Sequence, residues 1–122
     1  MGRFAAWLDV QEDQMAIPAK TASALRQCLE EAVVNLIDHT PATPGEDIAI
    51  ELHWQGDTLV AAVEDPGPPF DPRTVPEPVR PASLGDAVPG GWGIHLIRSF
   101  ASGIGYESAA GRNRLTLRFL RS

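Results

Sequence analysis

Three groups of residues in this chain combine reactive side chains or free backbone donors with a spacing that could do chemistry. Glu31, Asn35 and His39 fall at i, i+4 and i+8, so on a helix they form one row that flanks the apolar stripe and borders the core. A carboxamide oxygen suits a hard cation, and a carboxylate can take the proton of a water or hydroxyl nucleophile. Without further context, the same row also suits an ordinary polar helix edge. Asp65 stands where an alternating run gives way to Pro66-Gly67-Pro68-Pro69. A carboxylate only accepts hydrogen bonds, so a buried one here could read an exocyclic amine such as that of adenine, with a turn-capping aspartate as the plainer alternative. Gly90-Gly91-Trp92-Gly93 directly precedes a helical segment, whose first N–H groups and positive dipole end suit an anion. The glycines are a candidate phosphate cradle, or only a flexible turn.

The elements that must position these groups follow from periodicity and punctuation. Pro18 suits a first helical turn, and Ala22, Leu25, Leu29, Ala32, Val33 and Leu36 then recur at three- and four-residue spacing up to Thr40-Pro41, which predicts the main amphipathic helix. Ile48, Ile50, Leu52 and Trp54 alternate with polar residues, Gly56-Asp57 makes a turn, and Leu59, Ala61 and Val63 alternate again, which predicts a β-hairpin. A second helix is expected over Gly93–Ser102, with Ile94, Ile97 and Phe100 inward and Gly103 as its stop. Two strands follow, about Ile104–Ser108 and Arg114–Leu120. Residues 3–13 fit a helix through Phe4, Trp7 and Leu8 and a strand through Phe4, Ala6, Leu8 and Val10; helix is favoured. Eight of the eleven prolines lie between Pro66 and Pro89, so that stretch is neither a regular helix nor a central strand. A loop of this length is expected to be a mobile lid over residues 66–90.

Composition bounds the function. The 122 residues suit one domain, 1–122, and 43% apolar with 21% charged residues is ordinary globular usage. No run of about 18 apolar residues and no basic-then-apolar leader is present, so a membrane span and a signal peptide are not expected, and the cytoplasm is the default. A net charge of −6 disfavours nucleic acid as a partner, although residues 1–65 carry −9 and residues 66–122 carry +3. The single Cys28 excludes a disulfide framework and a multi-thiolate zinc site; it reads as a small buried apolar residue. His53 and His95 read as surface or edge residues, and Trp7, Trp54 and Trp92 as packing, with Trp92 also within reach of a ligand held by the glycine loop.

Taken in order, Glu31-x-x-x-Asn35, Asp65-x-Gly67 and Gly91-x-Gly93 resemble the N, G1 and G2 boxes of the GHKL ATPases. The local wording narrows the resemblance: Glu-Ala-Val-Val-Asn-Leu-Ile-Asp-His, Val-Glu-Asp-Pro-Gly-Pro-Pro-Phe-Asp-Pro and Gly-Gly-Trp-Gly-Ile-His-Leu-Ile-Arg are similar to the anti-sigma factor serine/threonine kinases of the RsbW and SpoIIAB type. The final Asn113-Arg114-Leu115-Thr116-Leu117 resembles that family's last strand. The likeness spans about residues 17–120. It implies an α+β fold, the two-layer Bergerat sandwich of histidine-kinase-like ATPases, with a mixed or antiparallel sheet and helices on one face. It also implies ATP and Mg²⁺, with Asn35 on the metal, Glu31 as base, Asp65 on the adenine amine and Gly67 beside the base. Gly91 and Gly93 would contact phosphates, and Thr116 would support the adenine through water. His39 matches a position usual in the subfamily.

The partners implied are a sigma factor, an antagonist protein that accepts the phosphoryl group, and a second copy of the chain in a homodimer. The alternative is a nucleotide-holding, partner-switching module that transfers nothing; the presence of Glu31 favours the kinase. A detached histidine-kinase catalytic domain fits less well, because the short lid and the Gly-Gly-Trp-Gly wording suit the anti-sigma type. One departure is visible. Members of this family usually begin with a strand and a full helix, whereas only about 16 residues precede the long helix here, so one of the two elements is expected to be missing.

Overall fold

Leu8 and Val10 decide the ambiguity at the N-terminus. In the computed structural model, which describes residues 2–39, 48–66 and 97–121, Leu8 is fully buried while Val10 is 49% exposed. A strand would put the two on one face; a helix separates them. The segment is helix α1, Gly2–Gln14, so of the two elements expected before the long helix it is the helix that is present, and no strand precedes it among the described residues. It ends in a Schellman-type turn: the Ile17 amide donates to Glu12 O (3.0 Å) and the Ala16 amide to Asp13 O (3.3 Å). Ala16 sits at φ 51°, a left-handed position that glycine usually takes and that costs an alanine about 1–2 kcal/mol.

Helix α2, Ala19–His39, opens on Pro18, whose carbonyl accepts the Ala22 amide at 2.8 Å. Arg26 on α2 fastens the two helices together. Its Nη2 donates to Asp9 Oδ1 (2.7 Å) and Glu12 Oε1 (2.9 Å), and its Nε donates to Glu12 at 3.3 Å. These bonds, Glu12 first and Asp9 second, raise the guanidinium pKa above its ordinary value. The cluster is near the surface, so it orients the helices more than it stabilises them.

The sheet comprises β1 (Ala49–Gln55), β2 (Thr58–Asp65), β3 (Gly103–Ala109) and β4 (Arg112–Leu120). All neighbours are antiparallel and the order is β1-β2-β4-β3, which narrows the expected mixed-or-antiparallel sheet to the second alternative. Two-residue turns close both hairpins. Ala110 and Gly111, at φ 54° and 77°, supply the two left-handed positions of a type I′ turn, which matches the twist of the flanking strands. Residues 97–100 are helical. The expected start of that helix at Gly93, and the expected lid over 66–90 beyond Pro66, lie outside the described residues. Two details differ from the sequence expectation. Phe100 is 48% exposed instead of inward, and Gly103 begins β3, since the Ser102 amide already bonds Arg118 O at 2.7 Å.

One face of the sheet carries the core. Leu59, Ala61 and Val63 of β2 and Leu115, Leu117 and Phe119 of β4 meet Leu8, Leu25, Cys28, Leu29, Ala32 and Ile97. Trp54, half-buried at the margin, donates its indole N–H to Met15 O at 2.9 Å, while Arg121 lies 4.0 Å from its ring centroid. The opposite face holds charges: Glu64 pairs with Arg114 and, at 3.4 Å, with Arg112, and Arg114 reaches Glu51 at 3.8 Å. The helices therefore form one layer and the sheet the other, the expected two-layer arrangement.

Leu29 is fully buried at the centre of the α2–sheet contact. Leu29→Ala is expected to lower unfolding stability in urea by about 2–5 kcal/mol through the cavity left behind. Val34→Ala, on the exposed side of the same helix, should change it by about 0.5 kcal/mol or less.

Candidate functional site

A polar row interrupts the apolar face at one end of the sheet. Asp65 closes β2 in phase with Leu59, Ala61 and Val63, so its side chain falls on the helix-covered face, where it is only 2% exposed. Its cross-strand partner is Asn113, the second residue of β4 and 3% exposed, in phase with Leu115 and Leu117. The Asn113 Nδ2 donates to Asp65 Oδ2 at 3.2 Å. Asn113 pairs on its other side with Ser108 of β3, whose hydroxyl donates to Asn113 Oδ1 at 2.7 Å. Asp65, Asn113 and Ser108 thus form one cross-strand row over β2, β4 and β3.

Thr116 is a correction. It is three residues beyond Asn113 on β4 and pairs with Ala62 and Gly105, so strand alternation turns it to the face opposite Asp65. It cannot support a base read by that carboxylate, and Asn113 occupies the adjoining place instead. The signal was present in the sequence: Asn113 is the polar residue in step with Leu115, Leu117 and Phe119, whereas Thr116 is out of step.

Glu31 and Asn35 lie one turn apart on the C-terminal half of α2, the helix that crosses the same sheet face. Glu31 is half-buried next to buried Ala32. Asn35 and His39 are placed on the helix backbone, and Gly67, Gly91 and Gly93 lie outside the described residues. His53 is exposed, as expected for an edge residue. Among the described residues, no group of three or more His, Cys, Asp or Glu side chains gathers to hold a metal. Asn35 carries a carboxamide oxygen, a donor of the kind a hard cation such as Mg²⁺ would take.

An antiparallel sheet of four strands among the described residues, with helices on one face, forms a two-layer α+β sandwich. Residues 2–119 match the family model described as the histidine kinase-like ATPase domain; the chain belongs to that family. It is similar to the serine/threonine-protein kinase BtrW of Bordetella bronchiseptica, at 35% identity over 101 residues that cover 81% of this chain and 70% of that protein. That relative agrees with the resemblance to RsbW-type serine/threonine kinases. The fold is shared with the Acinetobacter baumannii histidine kinase AdeS, at a TM-score of 0.53 and 16% identity over 83% of this chain. The match covers 47% of that solved chain, so this chain corresponds to about half of it. Among the described residues, no helix is long and apolar enough to cross a membrane.

Cys28, one turn before Glu31 on α2, is not a nucleophile. Burial first, and the Glu31 charge second, push its thiol up to about 12, so the reactive thiolate is absent near neutral pH. A folded-state value above the ordinary 9.0 means that the unfolded chain gives up this proton first as pH rises. The contribution is fully present below about pH 9 and is lost progressively towards pH 12. Stability measured across that window should fall more steeply in the wild type than in Cys28→Ala. Ellman's reagent should label the folded protein slowly at pH 8 and the denatured protein at once.

Proposed function

We propose that this chain is a Mg²⁺-ATP-dependent protein serine/threonine kinase of the anti-sigma factor type, acting in the cytoplasm as a regulator of transcription. The observation that carries the reading is Asp65, a buried carboxylate at the end of a central strand of an ATPase-family sheet, hydrogen-bonded by Asn113. An acceptor-only group in that place suits the exocyclic amine of adenine. Gly67 would let the base approach the backbone, and Gly91 and Gly93 would offer backbone N–H donors to the phosphates. Mg²⁺ on Asn35 would neutralise charge on the phosphate chain.

Transfer itself asks little covalent work of the protein. The serine or threonine hydroxyl of an antagonist protein forms a new bond to the γ-phosphorus, the bond to the ADP oxygen breaks, and the hydroxyl proton passes to the Glu31 carboxylate. The name of the BtrW relative, a serine/threonine kinase, supports this direction. The second partner in this reading is a sigma factor, held in one nucleotide state and released in another.

Glu31→Ala separates transfer from binding. With labelled ATP and the antagonist encoded nearby, the variant should bind nucleotide within a few-fold of wild type yet transfer phosphate about 10²–10⁴-fold more slowly, the range for a lost general base. Wild-type protein that binds ATP and a sigma factor but phosphorylates no antagonist would overturn the kinase reading in favour of a binding module.

A further inference from the structure

The Asp65–Asn113–Ser108 row has a direction built into it. A carboxylate carries no proton to donate, so the amide of Asn113 must present its nitrogen to Asp65 Oδ2, at 3.2 Å, and its oxygen to the other side. There the Ser108 hydroxyl donates to that oxygen at 2.7 Å; a hydroxyl could equally accept from the amide, so the carboxylate sets the orientation and Ser108 tethers the amide in place. The backbone reinforces the same order, because β4 is paired in fixed register with β2 through Asp65–Asn113 and with β3 through Ser108–Asn113. Both members of the inner pair are almost fully buried, where a hydrogen bond to a charged group is stronger and its loss dearer than at the surface.

We infer that Asn113, locked by Ser108, is a positioning residue that fixes the angle of the Asp65 carboxylate and thereby sets the discrimination between 6-amino and 6-oxo purines. This rests on the ATP reading given above. The N–H donated to Oδ2 restrains rotation of the carboxylate about its last bond, so its partner oxygen is presented in one direction. An amine at the purine 6-position then meets an acceptor. A 6-oxo group in the same place sets acceptor against acceptor, and a restrained carboxylate cannot swing away to relieve the contact. Specificity of this kind comes from the repulsive mismatch as much as from the attractive match. Without Asn113 the carboxylate loses one of its restraints, and the discrimination between the two bases narrows.

The test is calorimetric titration of the full chain with ATP and, separately, with inosine triphosphate, both with Mg²⁺. Wild type should prefer ATP by about tenfold or more, the scale of one mismatched buried hydrogen bond. Asn113→Ala should collapse most of that ratio, and Ser108→Ala should lower it about three-fold, because the amide then keeps its nitrogen on Asp65 but loses its lock. A merely structural role would weaken both nucleotides equally and leave the ratio where it was. Ser108 is at the exposed end of β3, so its variant serves if Asn113→Ala does not fold. A wild-type ratio in Asn113→Ala, or in Ser108→Ala where the former does not fold, overturns the inference while leaving ATP binding intact. Wild-type protein that binds neither nucleotide overturns the ATP reading itself.

Discussion

A carboxylate buried in a largely apolar face is costly unless donors reach it, and the placement of everything around Asp65 follows from meeting that condition. One donor comes from β4, where the antiparallel register of β2 against β4 brings Asn113 opposite Asp65. A slip of one residue in β4 would turn Asn113 to the charged face and replace it with Arg112 or Arg114. The apolar sides of the two strands prevent the slip. Leu59, Ala61 and Val63 and Leu115, Leu117 and Phe119 must all face the helices, so the hydrophobic core fixes the polar pair. Stability and site geometry are in this sense one constraint.

The strand order extends that logic to function. Because β2 and β4 are neighbours while β3 is outermost, the chain leaves the sheet at Asp65 and comes back through residues 97–102 before building β3. Residues 67–96, which carry Gly67, Gly91 and Gly93, thus connect β2 to the helical residues 97–100. Helix α2 does similar double duty. Leu25, Leu29 and Ala32 bury one side of it, and Glu31 follows from the same backbone, so the core that seats the helix also sets where its carboxylate stands. Arg26, bonded to Asp9 and Glu12, adds the orientation of α1.

Much of this was legible in the residues. The spacing of Ala22, Leu25, Leu29 and Ala32 gave the main helix and its buried side, and the alternations of Ile50–Trp54, Leu59–Val63 and Leu115–Phe119 gave three strands with their inward faces. Asp65 was recognisable because it stops an apolar alternation while remaining in phase with it. The failures were of a different kind. Residues 3–13 satisfied two periodicities at once, and only burial of Leu8 against exposure of Val10 separates them. Thr116 was carried over from the resemblance to the family's last strand although its phase on β4 excluded it, while Asn113 had the right phase. The Ser108 contact joins two strands through a register that no single strand encodes. Phe100 looked inward on helical spacing alone, but it falls in the last turn, where the chain is already leaving for β3.

The most direct measurement is the calorimetric affinity of the wild type and of Asp65→Asn for ATP with Mg²⁺. The substitution keeps the size of the side chain and exchanges one acceptor oxygen for a donor, which must then face either the adenine amine or the Asn113 amide. Saturable binding in the wild type, weakened by about 1–3 kcal/mol in the variant with an unchanged circular dichroism spectrum, is the expected result. No heat at millimolar ATP in the wild type, or equal affinity in the two proteins, would contradict an ATP site built on this carboxylate.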